Sequence, residues 1–138
     1  MTTARVTGLN HLTFAVSDLD RSVAFYRDLL GCDLRALWAR GAYLEAGGLW
    51  LCLSLDAAAR CEPHPDYTHA AFSVEAEAFE ALSARVCAVA AVWKEDGSEG
   101  ASLYFLDPDG HRLELHVGSL ESRLRHYRDH PELGVTLS

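Results

Sequence analysis

The chain has 138 residues, 49% of them apolar, which suits one domain folded around its own core. Twenty acidic residues against twelve basic ones give a formal charge of -8, which repels nucleic acid and anionic lipid, so an anionic ligand needs a local basic pocket. No apolar run approaches the ~18 residues of a membrane span, and no basic segment leads into an apolar one at the N-terminus, so a cytoplasmic protein is expected.

The first strand is predicted over Gly8 to Val16, where Leu9, Leu12, Phe14 and Val16 alternate with smaller or polar residues. Ser17-Asp18 can cap a helix, and Leu19, Val23, Tyr26 and Leu30 continue at helical spacing until Gly31. Asp33 to Trp38, Ala42 to Ala46 and Leu49 to Leu55 read as three strands separated by Arg40-Gly41 and Gly47-Gly48 turns. A polar connector from Arg60 to Asp66 precedes a second strand–helix–three-strand series. Its members are Thr68 to Val74, a helix carrying Phe79, Leu82 and Val86, then strands near Val92, Ser102 to Leu106 and Arg112 to Val117. Asp107-Pro108-Asp109-Gly110 turns between the last two strands. Ser119 to Asp129 reads as a short C-terminal helix with a capping serine and Pro131 beyond it.

Two βαβββ modules, about 8–59 and 67–118, therefore repeat, with a final helix over about 119–130 and one domain over 1–138. The expected fold class is α+β, a curved mixed sheet forming a cup. Matching the modules sets His11 against His69 and Gly48-Leu-Trp-Leu-Cys52 against Gly110-His-Arg-Leu-Glu114. Inward positions recur every second residue, so His11, Thr13, His69, Glu114 and Cys52 are candidates to share the concavity. Any single histidine reads first as a surface or satisfied core residue. Repeat equivalence, and a carboxylate inside an apolar strand whose unpaired burial would cost several kcal/mol, point instead to His11, His69 and Glu114 as ligands of one divalent ion. Two imidazoles and a carboxylate suit Mn, Fe, Co or Zn and leave positions open for substrate. His116 shares the parity of Glu114, which makes it a candidate to support a ligand. His64, His111, His126 and His130 read as solvated residues of loops and tail.

The four cysteines show no C-x-x-C pair, and each reads first as a small buried hydrophobe with a free thiol. Trp93 to Tyr104 is the least strand-like stretch of the second module. Lys94, Ser98, Ser102 and Tyr104 can converge on a phosphate-like or carboxylate group, and the loop's oxygens can coordinate a hard monovalent cation. A solvated hairpin loop is the plainer alternative. Arg123 can face water or clamp an anion bidentately, and Trp38, Tyr43 and Trp50 read first as core or rim packing.

The segments Gly8-Leu-Asn-His-Leu-Thr13, Ala24-Phe-Tyr-Arg-Asp-Leu-Leu-Gly31, Asp66-Tyr-Thr-His69 and Tyr104-Phe-Leu-Asp-Pro-Asp-Gly-His-Arg-Leu-Glu114 resemble the vicinal oxygen chelate superfamily. The Trp93 to Tyr104 loop narrows the resemblance to fosfomycin-resistance glutathione transferases. It implies a Mn2+-dependent, K+-stimulated transferase, with other divalent metals able to substitute, that adds the glutathione thiol to the epoxide of a small phosphonate. His11, His69 and Glu114 would be the ligands, the two histidines of one site coming from different subunits of an exchanged homodimer. Thr13 and Tyr43 would be catalytic, at the epoxide oxygen and the thiol. Lys94, Ser98, Ser102, Tyr104 and Arg123 would bind the phosphonate, and Trp50 would line the pocket. Asp96, Ser98, Gly100 and Ser102 would form the potassium loop. Neither nucleic acid nor membrane is an expected partner.

This chain departs from those relatives at Asp96, Gly97 and Arg40, which bear on K+ and on the thiol. The glutamate base of hydrolytic relatives falls at Gly41, which disfavours water as nucleophile. Competing readings are an extradiol-type dioxygenase, an epoxide hydrolase and a drug-binding protein.

Overall fold

The computed structural model describes residues 4–138, which divide into two compact units, one ending at Cys61 and the other starting at Glu62. No helix of the described residues is long and apolar enough to cross a membrane.

The first unit is built from β1 (His11–Val16), α1 (Leu19–Ala24), β2 (Asp33–Trp38), β3 (Gly41–Ala46) and β4 (Leu49–Leu55). Its sheet runs β1-β4-β3-β2, with β1 parallel to β4 and the other pairs antiparallel. Strand alternation sends Phe14, Val16, Leu44, Leu51 and Leu53 to one face, where α1 covers them with Leu19 and Val23. Burying each large aliphatic side chain contributes roughly 1.5–3 kcal/mol, so this face organises the unit. Asp18 caps α1 by accepting a hydrogen bond from Arg21 N at 3.0 Å. The helix predicted to run to Gly31 is α-helical only through Ala24. A π-helical stretch, Phe25–Leu29, follows and places Tyr26 inside, stacked on Phe14 at 5.9 Å between ring centres.

The second unit comprises β5 (Ala70–Ser73), α2 (Ala76–Cys87), β6 (Val92–Lys94), β7 (Ala101–Leu106), β8 (Arg112–Val117) and α3 (Leu120–Asp129). Its sheet order is β5-β8-β7-β6, with β5 parallel to β8, so both mixed sheets follow one plan in an α+β fold. Leu113, Leu115 and Phe105 form the buried face and Val86 of α2 closes it. The register agrees with the repeat: Thr13 pairs with Cys52 as Ala71 pairs with Glu114. β5 is shorter than the strand predicted from Thr68, so His69 lies just before it, in parity with Ala71 and Ser73. α3 opens on a capping box in which Ser119 and Ser122 exchange side-chain-to-backbone hydrogen bonds at 3.1 and 2.9 Å.

Candidate functional site

The face of the first sheet opposite its core carries His11 and Thr13 on β1, Trp50 and Cys52 on β4, and Tyr43 on β3. With Trp38 and Arg40 they line a cavity of about 410 Å³. His11 stacks on Trp50 at 4.5 Å between centroids, and Tyr43 meets Trp50 and Trp38 edge-on at 5.1 and 4.8 Å. These three aromatic side chains are partly exposed, so of core and rim packing it is the rim that describes them: they form the cavity wall. His11 Nδ1 lies 2.7 Å from Asn10 Oδ1, an acceptor that sets the proton on Nδ1 and leaves Nε2 with its lone pair. Asn10, the immediate neighbour of a candidate ligand, was the available sequence signal for this partner.

In the second unit Glu114 is only 6% exposed, and both its oxygens are engaged. His69 Nε2 stands 2.9 Å from Oε1, while Ser102 Oγ donates to Oε2 at 2.7 Å. The Ser102 hydroxyl has one proton and gives it to Glu114, so it accepts from His116 Nδ1 at 2.7 Å. The result is a buried relay from His116 through Ser102 to Glu114. His116 therefore has the supporting place its parity suggested. Gly100 keeps that place open, because at its φ of 85° a Cβ would lie 2.4 Å from Val117 O and 3.0 Å from His116.

Lys94 extends from β6 beside this network and donates to the Tyr67 hydroxyl at 2.6 Å, its ammonium 5.0 and 4.8 Å from the ring centres of Tyr67 and Tyr104. The bond to Tyr67 chiefly holds the Lys94 ammonium above its ordinary pKa, so it stays cationic. Tyr67, His69, Trp93 and Tyr104 form a ring cluster with neighbouring centroids 5.2 to 6.0 Å apart. Tyr67 and Trp93 were absent from the predicted site. Tyr67 stands two residues before His69, a same-side spacing in extended chain that gave a signal for it.

The Asp96 carboxylate organises the following loop, accepting from Ser98 N at 3.2 Å, Ser98 Oγ at 3.4 Å and Ser102 N at 3.1 Å. Arg123, from α3, donates to Glu99 Oε2 and to Glu99 O, both at 3.1 Å, and this contact chiefly holds the Glu99 carboxyl below its ordinary pKa. Lys94, Tyr104, Ser102 and Glu114 are thus gathered on one sheet face, whereas Arg123 is turned to the loop's own carboxylate.

Two other expectations are corrected. His111 is not a solvated loop residue: its Nδ1 lies 2.7 Å from Asp107 Oδ2, inside the turn that the buried Asp107 anchors. Cys32 and Cys52 are buried, but Cys61 and Cys87 are exposed, so burial does not describe all four thiols. His126 lies in the last turn of α3, and His130 is the exposed residue that caps its end. Among the described residues no three His, Cys, Asp or Glu side chains gather into a metal-holding group.

A family model for the Glyoxalase/Bleomycin resistance protein/Dioxygenase superfamily matches residues 8–115. The chain is similar to the glutathione transferase FosA of Serratia marcescens, 56% identical over 133 residues that cover 94% of each chain. It is also similar to the metallothiol transferase FosB of Staphylococcus epidermidis, 39% identical over 90% of this chain and 93% of that one. Among solved structures, the fosfomycin resistance protein FosX of Listeria monocytogenes, complexed with Mn(II) and sulfate ion, superposes with a TM-score of 0.78 at 30% identity, covering 89% of this chain and 99% of that one.

Proposed function

Because the chain belongs to the Glyoxalase/Bleomycin resistance protein/Dioxygenase superfamily, we propose that it is a fosfomycin-resistance enzyme that adds the thiol of glutathione to the epoxide ring of fosfomycin. The observation that carries this reading is the buried Glu114 carboxylate paired with the partly exposed His69, set beside a Lys94 cation on the same sheet face. A metal-ligand carboxylate and an anion-holding ammonium are what an epoxide phosphonate requires of its site.

The donors fit a divalent ion. Glu114 is a buried carboxylate with an imidazole nitrogen at 2.9 Å, and His11 has its Nε2 free for coordination through the Asn10 contact. We assign His11, His69 and Glu114 as ligands and Mn2+ as the ion, in a homodimer whose sites take their two histidines from different chains. A bound divalent ion supplies Lewis-acid stabilisation of the charge that develops on the epoxide oxygen as the ring opens. Ser102 and His116 hold Glu114 in place for it.

Thr13 hydrogen-bonds the epoxide oxygen, and the exposed Tyr43 phenol, on the same cavity wall, favours the thiolate form of the incoming thiol. Trp50 excludes water along that wall. Lys94, Tyr104, Ser98, Ser102 and Arg123 orient the phosphonate for backside attack. At Arg123 this is an exchange of anions, since Glu99 already occupies the guanidinium. The loop of Asp96, Ser98, Gly100 and Ser102 is rich in oxygen donors and suits K+ as a hard monovalent cation. We place the reaction in the cytoplasm, in a single domain over 1–138.

Thiol addition is favoured over hydrolysis at Gly41. A Cβ there would lie 2.5 Å from the Trp38 ring and 2.9 Å from Leu53 O, so no carboxylate base can project from that position. The test is to incubate Mn-loaded protein with fosfomycin and glutathione, cysteine or no thiol, and to follow the product by phosphorus NMR. A glutathione adduct is expected. A diol formed without thiol, or no adduct with any thiol, would overturn the assignment.

A further inference from the structure

At the end of α3, His126 and His130 are spaced i, i+4, which stacks two side chains on one helix face. Their rings are already paired, 4.3 Å between centroids and tilted by 35°. His130 Nδ1 lies 2.8 Å from the His126 carbonyl oxygen, so its proton is on Nδ1 and Nε2 offers its lone pair to a metal ion. The backbone fixes the same residue from both sides: His130 N donates to Tyr127 O, and Leu133 N donates to His130 O at 3.1 Å. The last carbonyls of a helix carry its negative end, which favours a cation there.

We propose that His126 and His130 form a clamp for an imidazole-preferring divalent transition-metal ion, Cu2+, Ni2+ or Zn2+, separate from the His11, His69 and Glu114 set. Imidazole pairs select these ions over Mn2+, and affinity rises along the divalent series to Cu2+. With two protein ligands the remaining positions belong to water, so the site is a labile surface one. Its occupation ties the last turn of α3 to the chain beyond it, and α3 is the helix that delivers Arg123 to Glu99.

Full-length Mn-loaded protein is dialysed to equilibrium against Ni2+, as are His126→Gln and His130→Gln. Each variant is expected to bind one fewer Ni2+ per chain than the parent while the Mn2+ it retains equals the parent's, since any exchange at the His11, His69 and Glu114 set is common to both. Ni2+ binding equal to the parent's in either variant would overturn the clamp. A measurement on the unmodified protein guards against misfolded variants: Ni2+ should protect both His126 and His130 from diethylpyrocarbonate, located by peptide mass spectrometry. Protection of only one, or neither, counts against the proposal.

Discussion

Replacing Ser102 by alanine removes the hydroxyl that joins His116 to Glu114, two contacts of 2.7 Å around a side chain with almost no solvent access. A hydrogen bond to a charged group contributes about 1.5–3 kcal/mol net. Part of that is recovered, because His116 Nδ1 already lies 3.3 Å from Glu114 Oε2 and can replace the lost donor. The remaining loss is about 1–2 kcal/mol of stability, a fall in Tm of roughly 3–8 °C for a chain of this size. The larger effect falls on the metal: a ligand deprived of its supporting contact typically binds 10–100-fold more weakly. Free Mn2+ read by electron paramagnetic resonance gives the affinity, and calorimetry gives Tm. If Ser102→Ala keeps its Mn2+ affinity within about twofold, the relay does not hold Glu114, whatever happens to the KM for fosfomycin.

Glu114→Gln should abolish tight Mn2+ binding, whereas Lys94→Ala should raise the KM for fosfomycin with metal still bound; equal metal loss in both would refute this division, and metal analysis with steady-state kinetics decides it. Asp107→Ala strips the turn of a carboxylate that accepts from Asp109 N, His111 N and the His111 ring at 3.0, 2.9 and 2.7 Å. A loss of about 2–4 kcal/mol is expected in urea unfolding, and a loss below about 1 kcal/mol would show that the turn holds itself. Burial pushes the Cys32 thiol up to about 11, so at neutral pH it is protonated as well as enclosed. Iodoacetamide should therefore label exposed Cys61 and Cys87 in the native protein and leave Cys32 unmodified, as peptide mapping will reveal; early labelling of Cys32 would contradict its burial.

Much of the architecture could be read from residue patterns because local rules and tertiary packing agree. Strand alternation in β1 and β4, the Ser119 cap and the Asp-Pro-Asp-Gly turn each carry their own signal. The π-helical stretch did not, since Tyr26 and Leu30 fit α-helical spacing and only the packing of Tyr26 against Phe14 selects the wider turn. At the site, residue type was legible and pairing was not. Ser102 reads as one more loop hydroxyl until the β7–β8 register sets it opposite His116. Arg123 and Lys94 read as free cations, yet each has found a partner within its own unit, in Glu99 and Tyr67. Those partners are distant in sequence, and no periodicity announces them.

The aromatic neighbours of the two histidines give the protein an optical consequence. Trp50 lies 4.5 Å from His11 and Trp93 lies 5.6 Å from His69, ring centre to ring centre, so each half of the candidate ligand set has its own fluorophore. With Trp38 replaced by phenylalanine throughout, substituting Trp50 or Trp93 as well silences one reporter and leaves the other. Quenching by Mn2+ can then be timed separately at each histidine, which turns the order of ligand engagement into a stopped-flow measurement without any added label.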